Sequence, residues 1–175
     1  IANKNVKDSA IKTKVDNWYA TNIYGKTDGD SNQLEAYLSD EYFCNDRSTN
    51  SEGFPFNGIS SYTYGSTSRN PKTGDKSPSF KCANLENDAF TLKKSGAKST
   101  VTPNTNGNNA LTYPVGLITM DEYAFAGGVR EQMNYKTFLN SSVYYWTMSP
   151  VSYDTNSNLS RGFVINNRGY MEYPT

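Results

Sequence analysis

YPVGLITMDEYAFAGG (residues 113–128), YYWTMSP (144–150) and RGFVINNRGY (161–170) are the stretches that decide how this 175-residue chain is read. Thr119 stands where a helix N-cap belongs, and Glu122, three residues on, completes a capping box. A helix is therefore expected up to about Ala126, with Gly127 and Gly128 as its left-handed stop. Ahead of it, Tyr113–Ile118 reads as a compact apolar strand. Val143–Met148 reads as a second strand, ending before Pro150. Gly162–Ile165 reads as a third, Asn166–Gly169 has hairpin chemistry, and Tyr170–Tyr173 begins the returning strand. Alternation along 144–148 puts Tyr144, Trp146 and Met148 on one face and Tyr145 and Thr147 on the other. Trp146 is read as a core residue in preference to a carbohydrate-stacking ring. Met133–Ser142 and Val151–Ser160 read as polar loops between these elements.

Upstream, Val6, Ile11, Val15, Trp18 and Tyr19 recur at helical spacing and predict a helix over 5–22. Asn3 or Asn5 is its expected cap, and its apolar stripe is expected to dock on its own domain. DGDSN (28–32) alternates acidic and amide side chains as a calcium loop does, but Gln33 and Ser39 stand where an EF-hand needs Gly and Glu. It is read as a solvated turn before a short helix around Gln33–Leu38. Residues 45–80 look irregular, with Phe54, Phe56, Tyr62 and Tyr64 as internal anchors. A loop of that length is often functional or ordered by its own packing. Residues 94–110 form a second loop rich in helix and strand breakers.

The length favours one domain spanning 1–175. It is sufficient to bury roughly two-thirds of the unfolded surface. Seventeen basic and seventeen acidic residues give no net charge, and no basic stripe is visible. Nucleic acid and anionic membrane surfaces are therefore poor partners. No apolar run approaches the ~18 residues of a spanning helix. Aliphatic residues are sparse, but 14 Tyr, 8 Phe and 2 Trp can supply a core. Tyr, Ser, Gly and Asn are also the residues of adaptable binding surfaces, although a polar secreted surface explains them as well. The chain begins with Ile and shows no signal peptide, so it reads as a processed protein or an excised domain.

Cys44 and Cys82 sit in no CxxC pair, and the chain has no His to help hold zinc. A disulfide is their simplest use, restricting the unfolded chain by about 3–4 kcal/mol and implying an oxidising, extracytoplasmic location. Two buried free thiols are the alternative. Without His, Ser–His–Asp and Cys–His machinery is impossible. There is no phosphate-binding loop, and no cofactor or metal site is expected. Chemistry by paired carboxylates survives in principle, with Asp40, Glu41, Asp46, Asp121 and Glu122 as candidates, but solvated or capping roles explain them better.

NWY (17–19), FCND (43–46), Lys81–Cys82, YPVGLITMDEYAFAGG, YWTMSP (145–150) and the turn at Gly169 together resemble a group of bacterial cell-surface domains, common in gut Firmicutes. The match spans most of the chain. Those domains look like relatives of the C-type-lectin-like fold in the version shared with formylglycine-generating enzyme. The resemblance implies two helices with small twisted antiparallel sheets and long loops, hence an α+β, C-type-lectin-like fold. The enzyme branch uses a C-terminal cysteine pair, and no Cys follows Cys82 here, so that activity is not carried over. Relatives continue into a last strand ending in a VRPV-like run that this sequence lacks.

The expected function is a non-enzymatic extracellular binding or adhesion domain, with a glycan or protein ligand on another surface. Tyr135, Tyr153, Asp154, Asn156, Asn158 and Arg161 are the candidate ligand-binding residues, placed on polar loops over a rigid scaffold. A pilin-like or surface-assembly subunit is the alternative, motivated by the N-terminal amphipathic helix.

Overall fold

Ser9 opens the first helix of the computed structural model, which describes residues 9–48, 54–56, 59–134, 137–154, 157 and 159–173. The chain divides into two compact units, each built from two separate stretches. One holds Ile1–Phe43 and Leu85–Gly116, the other Cys44–Asn84 and Leu117–Thr175. Among the described residues no helix is long and apolar enough to cross a membrane.

In the first unit, helix α1 (Ala10–Asn22) is capped by Ser9, whose Oγ accepts from Lys12 N at 3.1 Å. The expected caps Asn3 and Asn5 are thereby corrected: Ser9 has the extended backbone an N-cap needs and the hydroxyl within reach. Burial follows the line Ile11, Val15, Tyr19, and only Tyr19 on it is fully buried. Trp18 lies one position, about 100°, around the helix from that line and is exposed. Its expected place in the docking stripe is therefore wrong. The 28–32 segment is the expected turn. Asp28 accepts from Asp30 N, Asn32 N and Tyr37 OH at 2.8, 2.9 and 2.6 Å. These bonds, that of Tyr37 first, pull its carboxyl down to about 2. A 3-10 helix follows at Leu34–Tyr37. β1 (Phe43–Cys44) and β4 (Ala89–Phe90) form a two-stranded sheet. Leu92, Val101 and Leu111 make the small core, with Phe43, Phe90 and Ala97 packed on it.

The unit's two stretches meet at Glu35, which is 3% exposed. Tyr19 OH and Ser99 Oγ donate to its Oε1 at 3.0 and 2.6 Å, and Thr100 Oγ1 to its Oε2 at 3.3 Å. Burial, then the Glu35 carboxylate, pushes the Tyr19 phenol well above its ordinary range. Asp40 anchors the 94–110 loop in the same way, accepting from Leu92 N at 3.1 Å and Asn104 N at 2.7 Å.

The second unit is organised by a five-stranded antiparallel sheet in the order β2 (Phe54–Phe56), β3 (Ile59–Thr63), β5 (Tyr145–Asp154), β6 (Leu159–Ile165), β7 (Met171–Glu172). Two expected loops become structure here. Residues 45–80 contain β2, β3 and helix α2 (Gly65–Arg69). Tyr64 is buried as expected, while the side chains of Phe54, Phe56 and Tyr62 lie outside the described set. Val151–Ser160 is mostly a hairpin, because β5 runs on through Pro150 to Asp154 and β6 starts at Leu159. Pro150 is tolerated because the register shifts on both sides of it, so its missing N–H falls at an irregularity. The expected strand Tyr113–Ile118 does not form. The chain turns at Pro114, with Val115 N donating to Tyr113 O at 2.9 Å.

Helix α4 (Met120–Phe125) keeps its expected capping box. Thr119 Oγ1 accepts from Glu122 N at 3.1 Å, and Glu122 Oε2 accepts from Thr119 N at 2.6 Å. Gly127 ends the helix at φ +90°, a conformation that costs glycine nothing. Met120, Tyr123 and Ala124 pack with Val151, Phe163, Ile165 and Met171 into the main core. Tyr123 OH reaches Gly169 O at 2.9 Å across that core, and burial pushes its phenol up to about 12. The predicted turn at 166–169 forms, with Gly169 N donating to Asn166 O and Asn166 N to Tyr170 O. The protein is thus α+β, and Cys44 and Cys82 are joined in a disulfide with no free cysteine left.

Candidate functional site

Strand β5 sorts its side chains between two faces. Tyr145 packs against the main core and donates to Leu139 O at 2.7 Å. Burial raises its phenol pKa. Thr147 is buried and donates to Phe163 O at 3.0 Å. Alternation then sends Trp146 to the opposite face. There it stands directly across from Val164 on β6, and Val164 stands across from Glu172 on β7. Residues paired across strands share a face, so Trp146, Val164 and Glu172 form one row.

Trp146 is 46% exposed, so the expectation of a core tryptophan is overturned. The core side of β5 is already filled by Tyr145 and Thr147, and the alternating strand leaves Trp146 only the outer side. Its ring lies 3.8 Å from the position a Cβ would take on Gly162. That is ordinary van der Waals contact, so the indole lies over β6 at Gly162. Met133, Phe138, Val143 and Tyr144 are also exposed, which concentrates large apolar surface in the chain leading into β5.

The sequence-predicted residues are distributed unevenly around this face. Tyr153 and Asp154 end β5, opposite Ser160 and Leu159 on β6 and Tyr62 and Ser61 on β3. Asp154 Oδ2 accepts from Ser157 Oγ at 2.6 Å, which ties the hairpin turn. Arg161 is paired with Ser152, on the side of β6 opposite Gly162 and Val164 by alternation. Tyr135, Asn156 and Asn158 lie outside the described residues. Sequence reasoning missed Gly162 and Glu172. The signal lay in RGFVINN, where Phe163 and Ile165 alternate with Gly162 and Val164 and so mark the second face.

Four of the five candidate carboxylates, Asp40, Asp46, Asp121 and Glu122, are held in the scaffold. Asp121 takes two bonds from Arg69, Nε to Oδ1 at 3.1 Å and Nη2 to Oδ2 at 2.7 Å. Asn70 Nδ2 and Ser79 N add bonds to the same Oδ1 at 3.0 and 3.1 Å. The third arm of Arg69 meets Asp46 Oδ2 at 2.8 Å. Asp121 raises the Arg69 pKa further, against the effect of burial. Glu122 serves the capping box, Asp40 holds two backbone amides, and Glu41 is exposed. Among the described residues no cluster of three metal-ligating side chains occurs. Compared with protein families, curated proteins and solved structures, the chain matches none of them.

Proposed function

We propose that this chain is a non-enzymatic extracellular binding or adhesion domain of C-type-lectin-like architecture, with its recognition surface on the outer face of β5 and β6 around Trp146. The observation that carries this reading is the 46% exposure of Trp146 on a paired strand. Leaving a large ring in water forgoes hydrophobic stabilisation of the fold. A ring carried on a paired strand needs little backbone ordering when a ligand arrives, and aromatic faces of this kind stack on sugars or pack into protein interfaces. The disulfide supports an oxidising compartment. The tethered carboxylates support a scaffold over a catalytic centre. The sequence-predicted residues Asn156 and Asn158 are a second contact region within this reading.

The test is binding on glycan and protein arrays, with the disulfide intact, by the wild type and Trp146→Ala. Wild type should retain at least one ligand, and the variant should lose about tenfold or more in affinity, as an interface hot spot does. No retention by the wild type, or equal retention by both, removes the proposal.

A second reading, a surface-assembly subunit, is favoured by Trp18, which is 56% exposed on α1. Sedimentation velocity should then show concentration-dependent oligomers that Trp18→Ala abolishes, and a monomer at every concentration excludes it.

A further inference from the structure

We propose that the row Trp146–Val164–Glu172 is a subsite for a cationic side chain, lysine or arginine, of a partner protein. This deepens the reading of the Trp146 face as a recognition surface and rests on it. The row crosses three neighbouring strands of one sheet. Two strand spacings separate the backbone of Trp146 from that of Glu172 by about 10 Å. Val164, at 7% exposure, lies buried between them. At one end is the face of an indole and at the other a carboxylate.

Charge decides which occupant this combination fits. Glu172 is only half-buried, and its carboxylate has no protein partner among the described residues. No basic residue shares the row to neutralise it. The nearby Arg130 lies on the other side of the sheet, its guanidinium 5.7 Å from the Phe163 ring and 5.5 Å from the Tyr173 ring. Arg161 is also on that other side, across from Ser152. A neutral sugar offers Glu172 hydroxyl donors but leaves its charge uncompensated. A lysine or arginine compensates it through charge-assisted bonds, which are about twice as strong as neutral ones. An aromatic face within about 6 Å of a cation adds attraction of its own.

The test follows the Trp146 indole N–H by NMR, assigned by its loss in Trp146→Phe. The probes are the acetylated methylamides of lysine, arginine and citrulline, and methyl β-glucoside. Saturable shifts with the lysine and arginine probes but not with citrulline are expected. Glu172→Gln should weaken those probes by about two- to fivefold while leaving the remaining spectrum unchanged. Equal response to citrulline, or unchanged affinity in Glu172→Gln, overturns the cation subsite. A response to the glucoside alone also overturns it but preserves the Trp146 face as a binding surface. If an array ligand is lost in Trp146→Ala yet no probe moves the indole signal, only the cation inference fails.

Discussion

Both units close on a buried carboxylate, but they satisfy it in different ways. Glu35 joins the two stretches of the first unit through three hydroxyls, from Tyr19, Ser99 and Thr100. Asp121 joins the two stretches of the second through a guanidinium, an amide and a backbone N–H. Hydroxyl donors are neutral, so losing one leaves a carboxylate that keeps its other bonds. Arg69 neutralises two carboxylates at once, so losing it leaves Asp46 and Asp121 buried without a counter-charge. The second unit also carries the disulfide. It is therefore the unit whose integrity rests on a few non-exchangeable groups, and it is the one that presents Trp146.

The comparison breaks first at the disulfide. Its sequence separation is 38, so Cys44→Ser with Cys82→Ser should cost about 4 kcal/mol by the chain-entropy account, read as a lower urea midpoint. A loss below about 1 kcal/mol would mean that the 44–82 segment is held by its other contacts. Next comes Arg69→Met, expected to cost about 3 kcal/mol because a buried pair broken on one side leaves its partner charged. The side chain is one-fifth exposed, which keeps the figure at the low end. Adding Asp46→Asn should recover part of that cost, and strictly additive losses would show that the two groups are uncoupled.

Glu35→Gln should cost less, about 1–2 kcal/mol, because Gln still accepts through one oxygen. A loss equal to that of Arg69→Met would erase the distinction between the two hubs. Alkaline titration sharpens the contrast. Tyr19 and Tyr123 both have folded pKa values above their unfolded value near 10. Above pH 10 the unfolded chain therefore releases these protons first. Their stabilisation is complete below pH 10 and falls as pH rises toward the folded values. Tyr19→Phe and Tyr123→Phe should each flatten that decline, and an unchanged slope in both would count against burial of the phenols.

The smallest effect belongs to Asp28, on the surface. Its folded pKa is depressed to about 2, so its contribution is present above the unfolded value near 4 and is lost as pH falls toward 2. Asp28→Asn should remove that part of the acid limb with little change at neutral pH. A large change at pH 7 would show that the 28–32 turn matters to the first unit as much as Glu35.

Legibility in the sequence follows the same division. The Thr119 box, the Gly127 stop, the 166–169 turn and the Asp28 turn were readable because their partners lie within a few residues. The Cys44–Cys82 bridge was readable because the chain offers no other pairing. The 45–80 segment was not, because β2 and β3 gain their strand character by pairing with each other and with β5. The 151–160 stretch read as a loop because Pro150 normally ends a strand, and only the register shifts around it show why this one continues. Tyr113–Ile118 had the right apolar pattern, but the chain turns at Pro114, and the segment meets β5 through the single bond from Met148 N to Ile118 O at 2.8 Å, not along a ladder.

By itself the sequence indicated a mixture of helix and strand, favoured the disulfide over free thiols and set each turn or cap closed by short-range hydrogen bonds. Those features depend on chemistry contained within a few residues, or on an exclusive pair. The tertiary structure alone decided that Trp146 faces outward, that its ring lies over Gly162 and that Glu172 shares its row. Which face of a strand is buried is set by what the rest of the chain packs against it, and no local spacing carries that information.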